Sequence, residues 1–213
     1  MRILQINTYY KAGGSTGRIV ADLSTIINEK HTSYVAFGYE FLKTNDQNTY
    51  KVQGIINLKL SILKTRIFGK HGFYNKYVTW KLIRWIKKIK PDVIHLHNIH
   101  NHYINIEQLF SFIKTNNYKV VWTLHDCWSF TGWCAYFDYV NCNKWQTECN
   151  NCPSLKSYPY TWFFDRSNEI FNSKKEIFQG VNSLTIITPS SWLKGLVSKS
   201  ILKEYPVSVI NNG

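Results

Sequence analysis

The architecture of the chain is easiest to recognise in the run PDVIHLHN at residues 91–98. Pro91 stops a preceding helical pattern, and the apolar residues 93–96 then form a candidate buried strand that leads into His and Asn. The run VVWTLHD at residues 120–126 repeats this design and ends on His and Asp. Two buried strands separated by a helical segment indicate parallel neighbours in one sheet, because parallel strands need a long crossover connection.

The same alternation extends in both directions along the chain. Strands that alternate with helices predict an α/β fold, a doubly wound parallel sheet in one domain over residues 1–213. The Cys- and aromatic-rich segment 126–160 lacks clear periodicity, and we expect an irregular insertion there. The candidate strands span residues 3–7, 33–37, 52–56, 93–96, 120–124, 184–188 and 207–210, and the candidate helices span residues 16–29, 75–90, 106–115, 167–178 and 191–199.

Length and charge restrict the class of protein. With 213 residues, 44% of them hydrophobic, the chain can bury a core, so disorder does not describe it. The 26 Lys and Arg against 13 Asp and Glu give a net charge of +13, which favours phosphorylated metabolites, anionic lipid headgroups or nucleic acid as partners. Neither a signal peptide nor a transmembrane run is evident, so we expect a cytoplasmic location.

Two basic and apolar segments are candidates for membrane contact. In residues 77–90 an apolar stripe lies opposite Lys and Arg side chains. We favour a sheet-covering helix there, with a membrane-surface helix as the alternative. Residues 58–70 are less regular but equally basic and apolar, and they are the better candidate for lying on anionic lipid at the inner face of the cytoplasmic membrane.

A glycine-containing loop follows the first strand and leads into a helix. Gly13 and Gly14 would let the backbone approach a phosphate closely, beside the partial positive charge of the helix start and near Arg18. The spacing does not match the dinucleotide-binding fingerprint. A tight turn whose helix is capped by Ser15 or Thr16 remains the alternative without a ligand.

Histidines mark the carboxyl ends of two predicted strands. Open parallel sheets bind ligands at this edge, so His97 with Asn98 and His125 with Asp126 are candidate site residues. A purely structural role for each pair stays open. His95 points to the same side as His97 but lies within its strand, and we expect a hydrogen-bonded interior residue. The spacing does not specify a metal at the histidines.

All five cysteines fall between residues 127 and 152. Four of them end on a Cys-x2-Cys pair, which suits a tetrahedral zinc that pins an irregular loop. An iron–sulfur cluster, reduced thiols or a disulfide are the alternatives. Few cations lie among the aromatic residues of this segment, so it lacks a stacking platform for nucleic acid. The candidate metal ligands are Cys134, Cys142, Cys149 and Cys152.

Taken together, these motifs resemble the N-terminal, acceptor-side domain of family 4 glycosyltransferases, retaining enzymes of the GT-B fold whose halves are Rossmann-like. The segment 123–153 is similar to a subgroup that makes capsule, colanic-acid-like and O-antigen polysaccharides. The motifs that carry the resemblance are residues 3–7, Gly13, Gly14 and Arg18, residues 91–98, 123–126 and 188–193, and the closing residues 209–213.

The resemblance implies roles for individual residues. Gly13 and Gly14 would lie near the phosphates of a nucleotide-sugar donor, and His125 would lie close to the transferred sugar. In this family the leaving phosphate is usually held to deprotonate the acceptor, so no protein nucleophile is assigned. We assign catalysis to His125 and Asp126, with Asp126, His97 and Asn98 lining the acceptor side.

The resemblance also bears on what the chain can do alone. The family's C-terminal domain, which carries a Glu-x7-Glu motif and most donor contacts, does not follow within these residues. We therefore expect an acceptor-binding half that needs a donor-binding half for activity, with a lipid-linked or polysaccharide acceptor and peripheral contact with anionic membrane. The alternative hypothesis is a noncatalytic basic module for membrane or nucleic acid, stiffened by a zinc loop.

Overall fold

The computed structural model describes residues 1–12, 14–39 and 46–212. Within these residues seven parallel strands form one sheet in the order β3-β2-β1-β4-β5-β6-β7. The chain builds outward from β1 to one edge and then from β4 to the other, which confirms the doubly wound α/β prediction. The strands are β1 (Arg2–Tyr9), β2 (Thr32–Tyr39), β3 (Thr49–Lys51), β4 (Val93–Leu96), β5 (Lys119–Thr123), β6 (Leu184–Thr188) and β7 (Val207–Val209).

Helices connect these strands and cover the sheet. The third helix contributes Leu82 and Ile86, both fully buried, while Lys81 and Lys88 on its other side are exposed. The interpretation of residues 77–90 as a sheet-covering helix is therefore confirmed. The helices in the described residues are α1 (Ser15–Asn28), α2 (Ile55–Phe68), α3 (Lys76–Ile89), α4 (Ile106–Thr115), α5 (Ser167–Phe178) and α6 (Ser191–Val197). None of them is long and apolar enough to span a membrane.

The predicted strand at residues 52–56 is wrong. The chain forms β3 three residues earlier, where Tyr50 pairs with Ala36 of β2. Gly54 then precedes the first turn of α2, and Ile55 and Ile56 lie on that helix with 63% and 73% of their surface exposed. The apolar character of these residues reflects an exposed helix face rather than a buried strand.

The core is continuous across the sheet and into the insertion. Trp122 of β5 packs against Phe110 of α4 and Phe178 of α5, with ring centroids 5.5 and 4.9 Å apart. Its Nε1 donates to the carbonyl oxygen of His97 at 3.1 Å. A large aromatic side chain therefore both fills the core and fixes the backbone at the end of β4.

The segment predicted as an irregular insertion lies between β5 and α5. Its regular structure consists of three short 3-10 turns at Trp128–Phe130, Asp138–Val140 and Lys144–Gln146. Trp145 stacks on Phe137 with ring centroids 4.9 Å apart and also contacts Phe130. Aromatic packing thus supplies much of the order that secondary structure does not provide here.

Candidate functional site

The candidate site lies where the strand order reverses, between β1 and β4. Such reversal points open a crevice at the carboxyl edge of a parallel sheet. The backbone N–H of Asn98 donates to Asn7 Oδ1 at 3.2 Å, and Thr8 Oγ1 donates to the carbonyl oxygen of Asn98 at 3.1 Å. These bonds tie the end of β1 to the loop after β4 and position the histidines beside them.

Three imidazole rings form a row across β4 and β5. His95 and His97 lie on the same side of β4 with ring centroids 4.1 Å apart, and His97 Nδ1 lies 3.2 Å from His125 Nε2. His95 Nε2 pairs with Thr123 Oγ1 at 2.8 Å, which confirms the prediction of a hydrogen-bonded residue. His97 is 1% exposed, whereas His125 is only partly buried, so His125 is the more accessible ring of the pair.

The rings are held uncharged near neutral pH. Burial lowers the pKa of His97 well below its ordinary value of 6.5, and His95 and His125 lower it further. Burial, with a smaller contribution from His125, lowers the pKa of His95 to about 4. For His125 burial also lowers the pKa, and Asp126 opposes part of that effect. Neutral imidazoles can both donate and accept hydrogen bonds, which suits the orientation of hydroxyl groups.

We predict that acid destabilises the fold through His95. The unfolded chain binds a proton at this ring as the pH falls below about 6.5, whereas the folded chain does so only near pH 4. Stability is therefore lost as the pH falls through this window, by about 1.4 kcal/mol per pH unit for one ring. Urea unfolding at pH 6.5 and 5.5 should show His95→Gln losing about 1 kcal/mol less than the unaltered chain, because the unfolded ring is already half protonated at pH 6.5.

The matched control for this pH prediction is His31→Gln, at an exposed ring that lies outside the site. It should leave the pH dependence of unfolding unchanged. If the free energy of unfolding changed equally with pH in His95→Gln and in the unaltered chain, protonation of His95 would not be coupled to folding.

Asp126 belongs to a second hydrogen-bonded chain. Its Oδ2 pairs with His100 Nε2 at 2.8 Å, and its Oδ1 accepts the backbone N–H of Trp128 at 2.9 Å. Burial alone would raise the pKa of Asp126, but His100 and the Trp128 N–H outweigh burial and hold the pKa below its ordinary value. His100 Nδ1 pairs in turn with Tyr158 Oη at 2.8 Å. Both carboxylate oxygens are thus engaged, and the chain leads away from the histidine row.

Tyr158 connects this chain to a large cavity of about 660 Å³. The cavity lies beside the ends of β1 and β2 and along α2. Its walls combine aromatic rings, the cations Lys51 and Arg66, and the imidazole of His102. Thr65 Oγ1 lies 3.2 Å from His102 Nδ1 and fixes that ring against α2. Cations, hydroxyl groups and aromatic rings in a cavity of this size can bind a polar, anionic ligand.

The glycine loop connects the end of β1 to α1. Gly14 has a φ of 138° and precedes α1, and neither Ser15 nor Thr16 caps the helix with its side chain. The alternative of a side-chain-capped turn is therefore wrong. Arg18 is exposed on the first turn of α1. Gly13 lies outside the described residues.

Sequence reasoning missed several residues around this edge. The Asp126 chain includes His100 and Tyr158, and the large cavity is lined by His102 and Tyr158. Each of these residues lies in a loop without periodicity. The only available signal was the density of polar residues in residues 97–102, directly after the β4 pattern. Tyr158 carried no signal, because the insertion reaches the cavity only through the tertiary fold.

The four predicted metal ligands come together in the structure. Cys134, Cys142, Cys149 and Cys152 all line one small cavity in the insertion. Burial raises the pKa of Cys149 to about 11, partly opposed by the Gly132 backbone N–H. As the side chains stand, no group of three or more His, Cys, Asp or Glu residues in the described part of the chain could hold a metal ion. Zinc at these thiols stays a prediction.

Comparison with known proteins bears directly on this edge of the sheet. The model of a family described as Glycosyltransferase Family 4 matches residues 45–213. Over 227 aligned positions that cover the whole chain, 29% are identical to an Escherichia coli (strain K12) protein named "Putative colanic acid biosynthesis glycosyl transferase WcaC". The chain spans 54% of that protein, about half of its length. The family match includes β4, β5 and the insertion, and thus the histidine row and the Asp126 chain.

Proposed function

Since the chain belongs to glycosyltransferase family 4, we propose that it is the acceptor-binding half of a retaining glycosyltransferase. It passes a sugar from a nucleotide-sugar donor to a lipid-linked or polysaccharide acceptor, together with a donor-binding half. The observation that carries this proposal is the meeting of His125 with His97 at the carboxyl edge, 3.2 Å apart, next to the Asp126 chain that leads to the 660 Å³ cavity. The transferred sugar at His125 and the acceptor in the cavity would thus lie next to each other.

The donor phosphates have a suitable place at the start of α1. In the described part of the chain no side chain caps this helix, so the N–H groups of its first two residues can meet an anion beside exposed Arg18. The backbone at Gly14 is open to an approaching phosphate, because even a Cβ there would meet nothing within 4 Å. Its positive φ favours glycine, since a residue with a side chain would be strained in this conformation. We assign Gly14 and Arg18 to the donor side, with Gly13 expected beside them.

The chemistry of the site fits a mechanism without a protein nucleophile. Asp126 is the carboxylate beside the histidine row, and both of its oxygens already accept or share hydrogen bonds. A carboxylate held in this way positions His100 rather than attacking a sugar. We propose that His125 orients the transferred sugar, while the leaving phosphate of the donor takes the proton of the acceptor hydroxyl.

The acceptor reaches this site from a membrane surface in our proposal. Helix α2 presents polar Ser61 and Thr65 to the protein interior, where they bond to Asn75 and His102. Its outward side carries apolar residues at helical spacing. The outward residues Ile56, Leu60 and Leu63 are 73%, 50% and 44% exposed. Exposed apolar residues interspersed with exposed Lys59 and Lys64 suit contact with an anionic lipid surface.

Three aromatic residues that follow the insertion extend this face. The backbone N–H of Trp162 donates to the Arg66 carbonyl oxygen at 2.7 Å, and Arg166 Nε donates to that of Phe68 at 2.8 Å. Arg66 also lies 5.8 Å from the Trp162 ring centroid. We call the combined surface the α2 patch, formed by Ile55, Ile56, Leu60, Leu63, Phe68, Trp162, Phe163 and Phe164, with exposed Lys59, Lys64 and Arg66 along it.

We predict that the α2 patch binds anionic vesicles and that Phe163→Ala weakens this binding about 10-fold. Phe163 is 71% exposed, and moving a Phe side chain into an apolar phase contributes about 1.5–3 kcal/mol. Co-sedimentation with phosphatidylglycerol-containing vesicles measures the change. The matched control is Tyr136→Ala, which removes an exposed ring that is not part of the patch.

A second arm tests the acceptor. Vesicles that also contain a polyprenyl-diphosphate-linked sugar should bind more tightly than plain anionic vesicles, and Arg66→Ala should remove this increment because Arg66 lines the cavity. Equal binding to both vesicle types would contradict an acceptor site in the cavity. Tight binding to single-stranded nucleic acid without vesicle binding would favour the noncatalytic alternative.

A further inference from the structure

The insertion orders a long segment with little regular structure. Between β5 and α5 the chain forms only three 3-10 turns, yet Trp133, Cys134 and Trp145 are buried. Ordered loops of this length without helices or strands are uncommon in compact domains, and a bound metal is one constraint that can order them in addition to aromatic packing. The thiols of this segment can supply that constraint.

The four thiols surround one small space. Cys134, Cys142, Cys149 and Cys152 line a cavity of about 10 Å³, enough for a single atom-sized occupant, whereas Cys127 does not line it. The Cys134 and Cys152 thiols are near enough to interact with each other. The Gly132 N–H donates to Cys149 Sγ at 3.2 Å. A backbone N–H directed at sulfur stabilises a thiolate more than a thiol, because the bond to an ionised acceptor is stronger.

A buried lysine lies beside this cluster. Lys174 of α5 is fully buried, and its Nζ donates to the carbonyl oxygens of Trp128 and Thr131 at 2.5 and 3.0 Å. The Nζ also lies 3.5 Å from the Trp128 ring centroid. No salt bridge to Lys174 is found among the described residues. Thr131, whose carbonyl oxygen accepts the bond from Nζ, lines the same small cavity as the four thiols. Burial lowers the pKa of Lys174 to about 7, opposed by Cys149, Cys134 and Asp126, so additional negative charge nearby favours the ammonium form.

We propose that Cys134, Cys142, Cys149 and Cys152 bind one zinc ion and that the Lys174 ammonium balances the charge of this cluster. Binding releases one proton from each of the four thiols and leaves four zinc–sulfur bonds with a net charge of −2 on the cluster. The side chains as they stand form no coordination sphere, so the ion draws the sulfurs toward the cavity that they already line. The proposal does not depend on sugar transfer.

Metal analysis of the chain purified without added zinc tests this directly. We expect about one equivalent of zinc, its loss in Cys149→Ser, and its retention in Cys127→Ser, which is the matched control at a buried cysteine outside the cluster. After cobalt replacement, the protein should show the visible absorption of tetrahedral cobalt bound to thiolates. A folded, metal-free chain with five free thiols, a Cys134–Cys152 disulfide, or stoichiometric iron would each overturn the zinc site.

The role of Lys174 has its own test. Lys174→Met keeps a long side chain but removes the charge, and we expect it to weaken zinc binding at least 10-fold in competition with a chromophoric chelator. Lys174→Arg keeps the charge and should recover part of that affinity if it folds. A folded Lys174→Met variant with unchanged zinc affinity would overturn the charge-balancing role and leave the four-thiol site in place.

Discussion

Replacing His125 with alanine is expected to lower the rate constant of sugar transfer about 100-fold, the scale of contribution made by a positioned proton-transfer or hydrogen-bonding group. His125 is the partly exposed ring of the row after β4 and β5, and its Nε2 is held 3.2 Å from His97 Nδ1. Loss of the imidazole removes the group assigned to the transferred sugar while the ring of His97 stays buried. Steady-state kinetics with the donor-binding half present would measure kcat and KM separately.

The comparison variant is His31→Ala, which removes an exposed imidazole outside the site and should leave transfer unchanged. A decrease in kcat with little change in KM supports a role of His125 in the transition state. A change in KM alone would reduce His125 to a binding residue. Full activity in His125→Ala would contradict the placement of the reaction at the end of β5.

Among the glycines compared in the described residues, Gly132→Ala is expected to be the most destabilising change, with a loss of about 3 kcal/mol. A Cβ at this position would lie 2.2 Å from the Ser167 carbonyl oxygen and 2.7 Å from Cys149 Cβ. Neither atom is the far end of a flexible side chain, so the insertion and α5 must separate. Such a shift would also break the bond from the Gly132 N–H to Cys149 Sγ.

The control for this substitution is Gly195→Ala in α6, where a Cβ meets nothing within 4 Å. Alanine is the better helix former, so this change should stabilise the protein by up to about 1 kcal/mol. Urea unfolding of both variants gives the two free-energy changes. Similar stability of Gly132→Ala and the unaltered chain would contradict the tight contact between the insertion and α5.

Sequence periodicity predicts the sheet well because buried parallel strands are nearly uniformly apolar. The pattern after Pro91 locates β4 to the residue, and the polar residues that follow it mark the edge where His97 and His125 meet. Residues 52–56 misled this reasoning because Ile55 and Ile56 are apolar but exposed. An apolar residue on a surface carries the same local signal as one in a core, and only its tertiary surroundings distinguish the two.

The parts of the site that sequence reasoning missed depend on contacts between distant segments. Asp126 bonds to His100, 26 residues before it, and His100 bonds to Tyr158, 58 residues after it. Periodicity describes neighbours along one element and contains no information about such pairs. The convergence of the four thiols was predictable because a Cys-x2-Cys pair is itself a local pattern, whereas the buried Lys174 was not.

The two borders of the sheet have a consequence for self-association. Both outermost strands, β3 (Thr49–Lys51) and β7 (Val207–Val209), are only three residues long in the described part of the chain. Long exposed borders offer unpaired backbone groups on which another chain can add a strand, and short ones offer few. The fold therefore disfavours amyloid-like growth through its hydrogen-bonding edges, even though its central strands are strongly apolar.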